Sequence, residues 1–248
     1  MRIFDCFTYY NEADILRVRF EELAETVDKF IVVEASETFT GKPKPFYFDS
    51  LPSWIDKWEN KIVRVKIDFP SHIQSSWDRE FYQRNSIVQG LYQAGAEKED
   101  LVLISDADEI IKAQTIKSID NSILPARLDV KQYFWNYHWQ VPKHCDQGAR
   151  PVACQMLDLM HMTPQYLRSL NLPLIEDGGW HFSFFGEYEK TINKIESFAH
   201  TEYDQDQYKS YEKVLFRIEK GIDPFDRFPL KYYEIDQSYP EWVFKNKD

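Results

Sequence analysis

The sequence predicts an α/β protein built on a doubly wound, mostly parallel sheet flanked by helices. Three observations predict it. Strand-like and helix-like segments alternate through the first half. Phe30 to Val33 and Leu101 to Ile104 are continuous apolar runs, the pattern of strands buried on both faces. The first run stops at Glu34 and the second leads into Ser105-Asp106-Ala107-Asp108-Glu109. Open α/β sheets bind their ligands beyond the carboxyl ends of such strands.

Ile3 to Thr8 reads as the first strand, and Asn11 to Val27 as a helix with Leu16, Phe20, Leu23 and Val27 at helical spacing. Residues 36–53 hold Gly41, Pro43, Pro45 and Pro52 and read as irregular. Lys61 to Ile67 is a further strand. Ser76 to Ala94 reads as one helix capped by Ser75 or Ser76. The second half is less regular. Val130 to Trp139 is strand-like, and the stretch Ala149 to Leu159 is a candidate partner for it. A short helix is expected over Thr163 to Leu170, a strand over Trp180 to Phe185, a helix through Tyr188, Ile192, Ile195 and Ala199, and another over Tyr208 to Lys220 ending at Gly221. Residues 1–248 read as a single domain in two halves, 1–110 and 111–248.

A net charge of −11 argues against nucleic-acid partners, whose phosphates attract basic surfaces. Three cysteines without a CxxC pair suggest free thiols and a reducing compartment. Residues 1–8 lack the apolar core of a signal peptide. No run approaches the roughly 18 apolar residues of a membrane span. These readings lead to the expectation of a cytoplasmic protein without a membrane span.

The chemistry-bearing residues gather at three places. Asp106 and Asp108, spaced i and i+2 at a strand's end, can offer oxygens to one Mg²⁺ or Mn²⁺ that also takes phosphate oxygens. An acidic surface turn is the alternative. Arg84 and Asn85 follow Phe81 at i+3 and i+4 and fall on the apolar face of their helix. An inward cation needs an anion, either a donor phosphate or the acidic cluster itself. In Glu176-Asp177-Gly178-Gly179-Trp180-His181, two glycines allow a close backbone approach, Asp177 is a candidate general base and His181 a candidate metal or phosphate ligand. A tight turn with a buried histidine is the competing reading. Thr8 and Glu34 end the first two strands, where a ribose or base would sit. Asn11 and Glu12 are helix-cap or ligand candidates. Lys42, Lys44 and Arg150 are weaker candidates for anions, His200 suits the negative end of its helix, and Trp135, Trp139 and Trp180 are candidates for stacking on sugars.

Taken together, FDCFTYYNEADILRVRFEEL, VDKFIVVEASETFTGKPKP, WDREFYQRNSI, LVLISDADEI, DGGWHFSFFG and KIESFAHTE resemble glycosyltransferase family 17, the bisecting β-1,4-N-acetylglucosaminyltransferase-like family. The resemblance implies a GT-A type fold and a DxD metal site at Asp106 and Asp108 for Mn²⁺ or Mg²⁺. It implies a UDP-sugar donor, most simply UDP-N-acetylglucosamine, and inversion at the anomeric carbon. Asp177 and His181 fall in the matching DGGWH segment. Animal members resemble anchored Golgi proteins, and this sequence shows neither anchor nor stem. A glycan or lipid-linked glycan acceptor on the cytosolic side is therefore expected.

In the mechanism these readings suggest, Asp106, Asp108 and His181 hold the metal. Thr8, Asn11, Glu34, Arg84, Asn85, Asp106 and Trp180 surround the donor. Asp177 takes the acceptor proton, with Glu109 as a second base candidate or a support for the metal. Two other classes stay open. A sugar nucleotidyltransferase would need a glycine-rich basic loop where this chain has TYYNEADIL. A non-catalytic, metal-dependent glycan-binding protein would suit the aromatics and acids equally. A hydrolase with paired carboxylates is a further possibility.

Overall fold

A computed structural model describes residues 1–146 and 150–247. The central row of its sheet is four parallel strands in the order β3-β2-β1-β4, with β1 Ile3–Thr8, β2 Lys29–Ala35, β3 Ile62–Ile67 and β4 Leu101–Asp106. Their side chains alternate between two layers. Phe7, Val32 and Leu103 face Leu16 and Phe20 of helix α1, Ala13–Leu23. Cys6, Ile31 and Ile104 face the opposite layer. On that side lie α2, Ser76–Asn85, and α3, Ile87–Gln93, the latter through Ile87 and Leu91. Both faces being covered, β2 and β4 read as unbroken apolar runs, whereas the edge strand β3 alternates. The α/β class with a mostly parallel central sheet is therefore the observed one.

The predicted helix over Ser76 to Ala94 is two helices. Ser75 caps the first by accepting from the Asp78 amide at 3.0 Å. At Ser86 the hydroxyl donates to the Tyr82 carbonyl at 2.9 Å, a local bond that competes with regular helix propagation.

Beyond β4 the sheet changes character. The short β5, Glu109–Ile111, and α4, Ala113–Lys117, precede β6, Ala126–Phe134. β7, Trp139–Gln140, and β8, Val152–Gln155, both pair antiparallel with β6. β8 also pairs antiparallel with β4, so it links the parallel row to the second half. The expected start of this segment at Ala149 lies outside the described residues. Helices α5, Met156–Leu159, and α6, Pro164–Ser169, lead to β9, Leu174–Ser183. β9 runs parallel to β6 and antiparallel to β5. Then come α7, Tyr188–Ser197, α8, Asp206–Lys209, α9, Tyr211–Lys220, the two-residue β10, Lys231–Tyr232, and α10, Glu241–Lys245. Gly221 closes α9 in the left-handed conformation, φ 60°, as expected of a helix-terminating glycine.

β9 begins six residues before the expected Trp180, and the reason is its pair of glycines. A Cβ on Gly179 would lie 2.1 Å from the Ile110 carbonyl oxygen, and one on Gly178 would lie 2.6 Å from Leu128 Cβ. The glycines let β9 fit between β5 and β6; the close approach they permit is to backbone and not to a ligand. Among the described residues no helix is long and apolar enough to cross a membrane. Cys6, Cys145 and Cys154 are free thiols.

Candidate active site

β4 delivers its terminal Asp106 to the carboxyl edge of the parallel row, beside Thr8 at the end of β1. The turn that follows is clamped from beneath by Arg19 of α1, which has no solvent exposure. Arg19 meets Asp5 through Nε at 2.7 Å and Nη2 at 2.5 Å. The same guanidinium donates to Ser105 Oγ at 2.5 Å and to the carbonyls of Asp106 at 2.9 Å and Glu109 at 2.8 Å. It also lies 4.2 Å from the centroid of the Phe7 ring. A planar five-donor fork suits this task, because it satisfies a carboxylate and a set of carbonyls at once.

From the opposite layer, Arg168 of α6 closes the same turn. Its Nη1 lies 2.6 Å and its Nη2 3.1 Å from the two Glu109 oxygens. Nη2 also reaches Asp106 Oδ2 at 3.2 Å. Glu109 in addition accepts from the Asp106 amide at 2.8 Å. It is 1 % exposed and lies outside the cavity lining. Its expected role as a base therefore does not fit: both oxygens are closed off and serve the turn's shape.

Asp106 and Asp108 line a cavity of about 930 Å³. Asp106 Oδ1 accepts from Arg84 at 2.9 Å and from Thr8 at 3.3 Å. Burial pushes its pKa up, but Arg168 and Arg84 outweigh that and hold it well below the usual carboxylate range. Asp108 Oδ2 meets Lys194 of α7 at 2.7 Å, and Oδ1 meets His181 Nε2 at 3.3 Å. Burial is again opposed, here by Lys194 and His181, and the carboxyl is strongly depressed. His181 moves the other way: burial lowers its pKa, Asp108 raises it, and the net shift is upward.

Of the sequence-selected residues, the fold brings Thr8, Arg84, Asp106, Asp108 and His181 to this cavity, and with them the weaker candidates Glu12, Lys44 and His200. Arg84 takes the acidic cluster as its anion, together with Glu80 at 2.8 Å. The others go elsewhere. Asp177 is an exposed, left-handed residue with φ 52°. It is ion-paired with Lys112 and does not line the cavity, so it is not positioned as the base. Trp180 is 3 % exposed, packs in the core with Ile15 and Val18, and donates to the Ser238 carbonyl at 3.1 Å. Glu34 pins the loop after β2: it accepts from the Tyr47 and Phe48 amides at 2.6 and 3.1 Å and from Lys44 at 2.8 Å. Asn85 accepts from the Gln165 amide at 3.0 Å and so fixes α6 to α2. Asn11 borders only a small neighbouring hollow. Arg150 is engaged by Asp129 and Asp146, each at 2.8 Å.

The site also holds residues that the sequence reading passed over. Arg19 lies between Leu16 and Phe20 on the apolar stripe of α1, the same signal that singled out Arg84. Arg168 and Lys194 gave no comparable signal, because their partners lie 62 and 86 residues away. Glu12, which the sequence offers as a cap or a ligand, lines the cavity. Its Oε2 accepts from the Tyr10 and Asn11 amides at 3.2 and 3.1 Å, and burial pushes its pKa up.

Among the described residues, no group of three or more His, Cys, Asp or Glu side chains is arranged to hold a metal ion. Mg²⁺-type sites seldom need one, since they use one or two carboxylates and complete their shell with water and phosphate oxygens. The charge of the lining fits such a cation. Among the described residues of the lining, five carboxylates, Glu12, Glu37, Glu80, Asp106 and Asp108, face five lysines and arginines, Lys44, Arg84, Arg168, Lys194 and Arg227, with His144, His181 and His200 beside them. A diphosphate entering this balanced cavity adds negative charge that a divalent ion would cancel.

Comparison with known proteins gives this geometry a context. The human and rat β-1,4-mannosyl-glycoprotein 4-β-N-acetylglucosaminyltransferases are each 27 % identical to the chain over 150 residues. The match covers 57 % of this chain and 28 % of each relative, so it spans less than a third of those proteins. The inositol-1-phosphate CTP transferase of T. maritima aligns over 89 % of this chain and 97 % of its own, at 10 % identity and a TM-score of 0.36, which is too slight to argue from. Residues 1–239 match the family Glycosyltransferase family 17, with Asp106, Asp108 and their counter-ions inside the matched region, and the chain belongs to that family.

Proposed function

We propose that the cavity binds a UDP-sugar, most simply UDP-N-acetylglucosamine, and transfers its sugar with inversion to a hydroxyl of a glycan or lipid-linked glycan. The observation that carries this reading is the placement of Asp106 and Asp108 at the carboxyl edge of the parallel row, in a cavity whose lining charges balance. The relatives named as N-acetylglucosaminyltransferases support the choice of sugar.

Asp106 and Asp108 are the residues that would hold a Mn²⁺ or Mg²⁺ ion, with the neutral form of His181 as a further ligand candidate beside Asp108. Such an ion, when bound, offsets the charge that grows on the departing diphosphate. Arg84, Arg168 and Lys194 stand around the two carboxylates and supply fixed positive charge on the same side. Arg19 keeps the turn in place while that charge changes. The acceptor proton requires a carboxylate without a cation. Among the described residues, Glu12 and Glu37 are the lining acids that make no ion pair. Burial raises the pKa of Glu12, which strengthens it as a proton acceptor.

Calorimetric titration with UDP, with and without Mn²⁺, tests the reading in the wild type and in Asp108→Ala. Metal-dependent UDP binding that the variant loses is expected. Absence of UDP binding under every metal condition would overturn the donor assignment.

A further inference from the structure

Asp108 has two claimants. It is 6 % exposed, and Lys194 holds Oδ2 at 2.7 Å. The ammonium is also fixed by Ser183 Oγ at 3.0 Å and stands 5.3 Å from the centroid of the Phe184 ring. α7 anchors the stem of Lys194 by burying Thr191 and Ile195. A divalent ion that takes Asp108 must stand beside this ammonium, and their repulsion scales with the product of the two charges. Asp106 offers Lys194 no open place, because it is already held by Arg84 and Arg168. A diphosphate at the same edge would give the ammonium a new anionic partner.

We propose that Lys194 couples the two ligands: it suppresses binding of the divalent ion alone and transfers to the diphosphate when both arrive together. The balanced lining makes the joint arrival favourable, since ion and diphosphate enter as a nearly neutral pair. By linkage, each ligand then tightens the other by the same factor. The identity of the second ligand rests on the donor reading above; the competition between Lys194 and the ion does not.

The test is a Mn²⁺ titration followed by electron paramagnetic resonance of the free ion, with and without UDP, on wild type, Lys194→Met and Lys194→Arg. His181 still compensates Asp108 in the methionine variant, and a thermal melt checks that both variants are folded. In the wild type, UDP is expected to tighten Mn²⁺ by about tenfold or more. Lys194→Met is expected to bind Mn²⁺ alone about tenfold more tightly than wild type and to lose most of the tightening by UDP. Lys194→Arg, which keeps the charge, is expected to follow the wild type. The proposal is overturned if Lys194→Met binds Mn²⁺ alone no more tightly than wild type, or keeps the full effect of UDP. If UDP leaves Mn²⁺ affinity unchanged in wild type, the donor reading fails instead, and the Lys194→Met arm without nucleotide still decides the competition.

Discussion

Asp108 and Glu109 adjoin in the chain, yet one borders the cavity and the other is sealed beneath it. Glu109 gives both oxygens to Arg168 and the Asp106 amide, and below it Arg19 closes on Asp5. Asp108 and Asp106 have cation partners as well, but these two acids themselves line the cavity, which Glu109 does not. The difference follows from strand geometry. Asp5 and Ser105 face the α1 layer, where Arg19 waits, while Asp106 faces Arg84 and Arg168. The same kind of ion pair therefore shapes the turn on one side and is available for exchange on the other.

The sharpest way to break this comparison is to open the sealed side. Arg19→Met strands Asp5 in the core and frees three oxygens of the turn. Loss of one partner of a buried pair costs about 3–5 kcal/mol, so urea denaturation should show a drop of that size. Adding Asp5→Leu should recover part of it, since a buried pair replaced by apolar groups is often tolerated. An Arg19→Met protein as stable as wild type would refute the clamp.

The open side should show itself in pH. The folded pKa of His181 is raised, so its contribution to stability is fully present below the unfolded value of about 6.5 and fades as pH rises through the folded value. The stability gap between wild type and His181→Gln should therefore narrow from mildly acidic to alkaline pH, as followed by denaturation midpoints. A gap that widens with pH would contradict the pairing with Asp108.

The smallest effect is expected at Asp177. Asparagine also tolerates the left-handed conformation, and surface changes usually stay within about 0.5 kcal/mol. Asp177→Asn should match wild type in stability and in sugar transfer. Loss of transfer in that variant would return the residue to the chemistry.

The two sides were not equally legible in the sequence. The parallel row was, because strands covered on both faces leave long apolar runs. Asp106 and Asp108 were, because two acids directly after such a run need a reason. The glycines before Trp180 misled, because a glycine that avoids a neighbouring strand looks like one that admits a ligand. Arg168 and Lys194 stayed hidden because their meaning depends on a fold that brings distant segments together. Arg19 was legible in principle: a cation inside the stripe Leu16, Phe20, Leu23 must have an anion, and Asp5 lies one strand away.

The balanced cavity has a consequence for the speed of capture. The chain carries −11 overall, while the five acids and the five lysines and arginines among the described residues of the lining cancel. An anionic ligand such as the proposed sugar nucleotide would therefore meet repulsion on approach and no compensating pull from the mouth of the cavity. Salt screens the long-range field more than it screens buried pairs. Stopped-flow association should accordingly become faster as salt is added, the opposite of an enzyme that draws in its substrate by opposite charge.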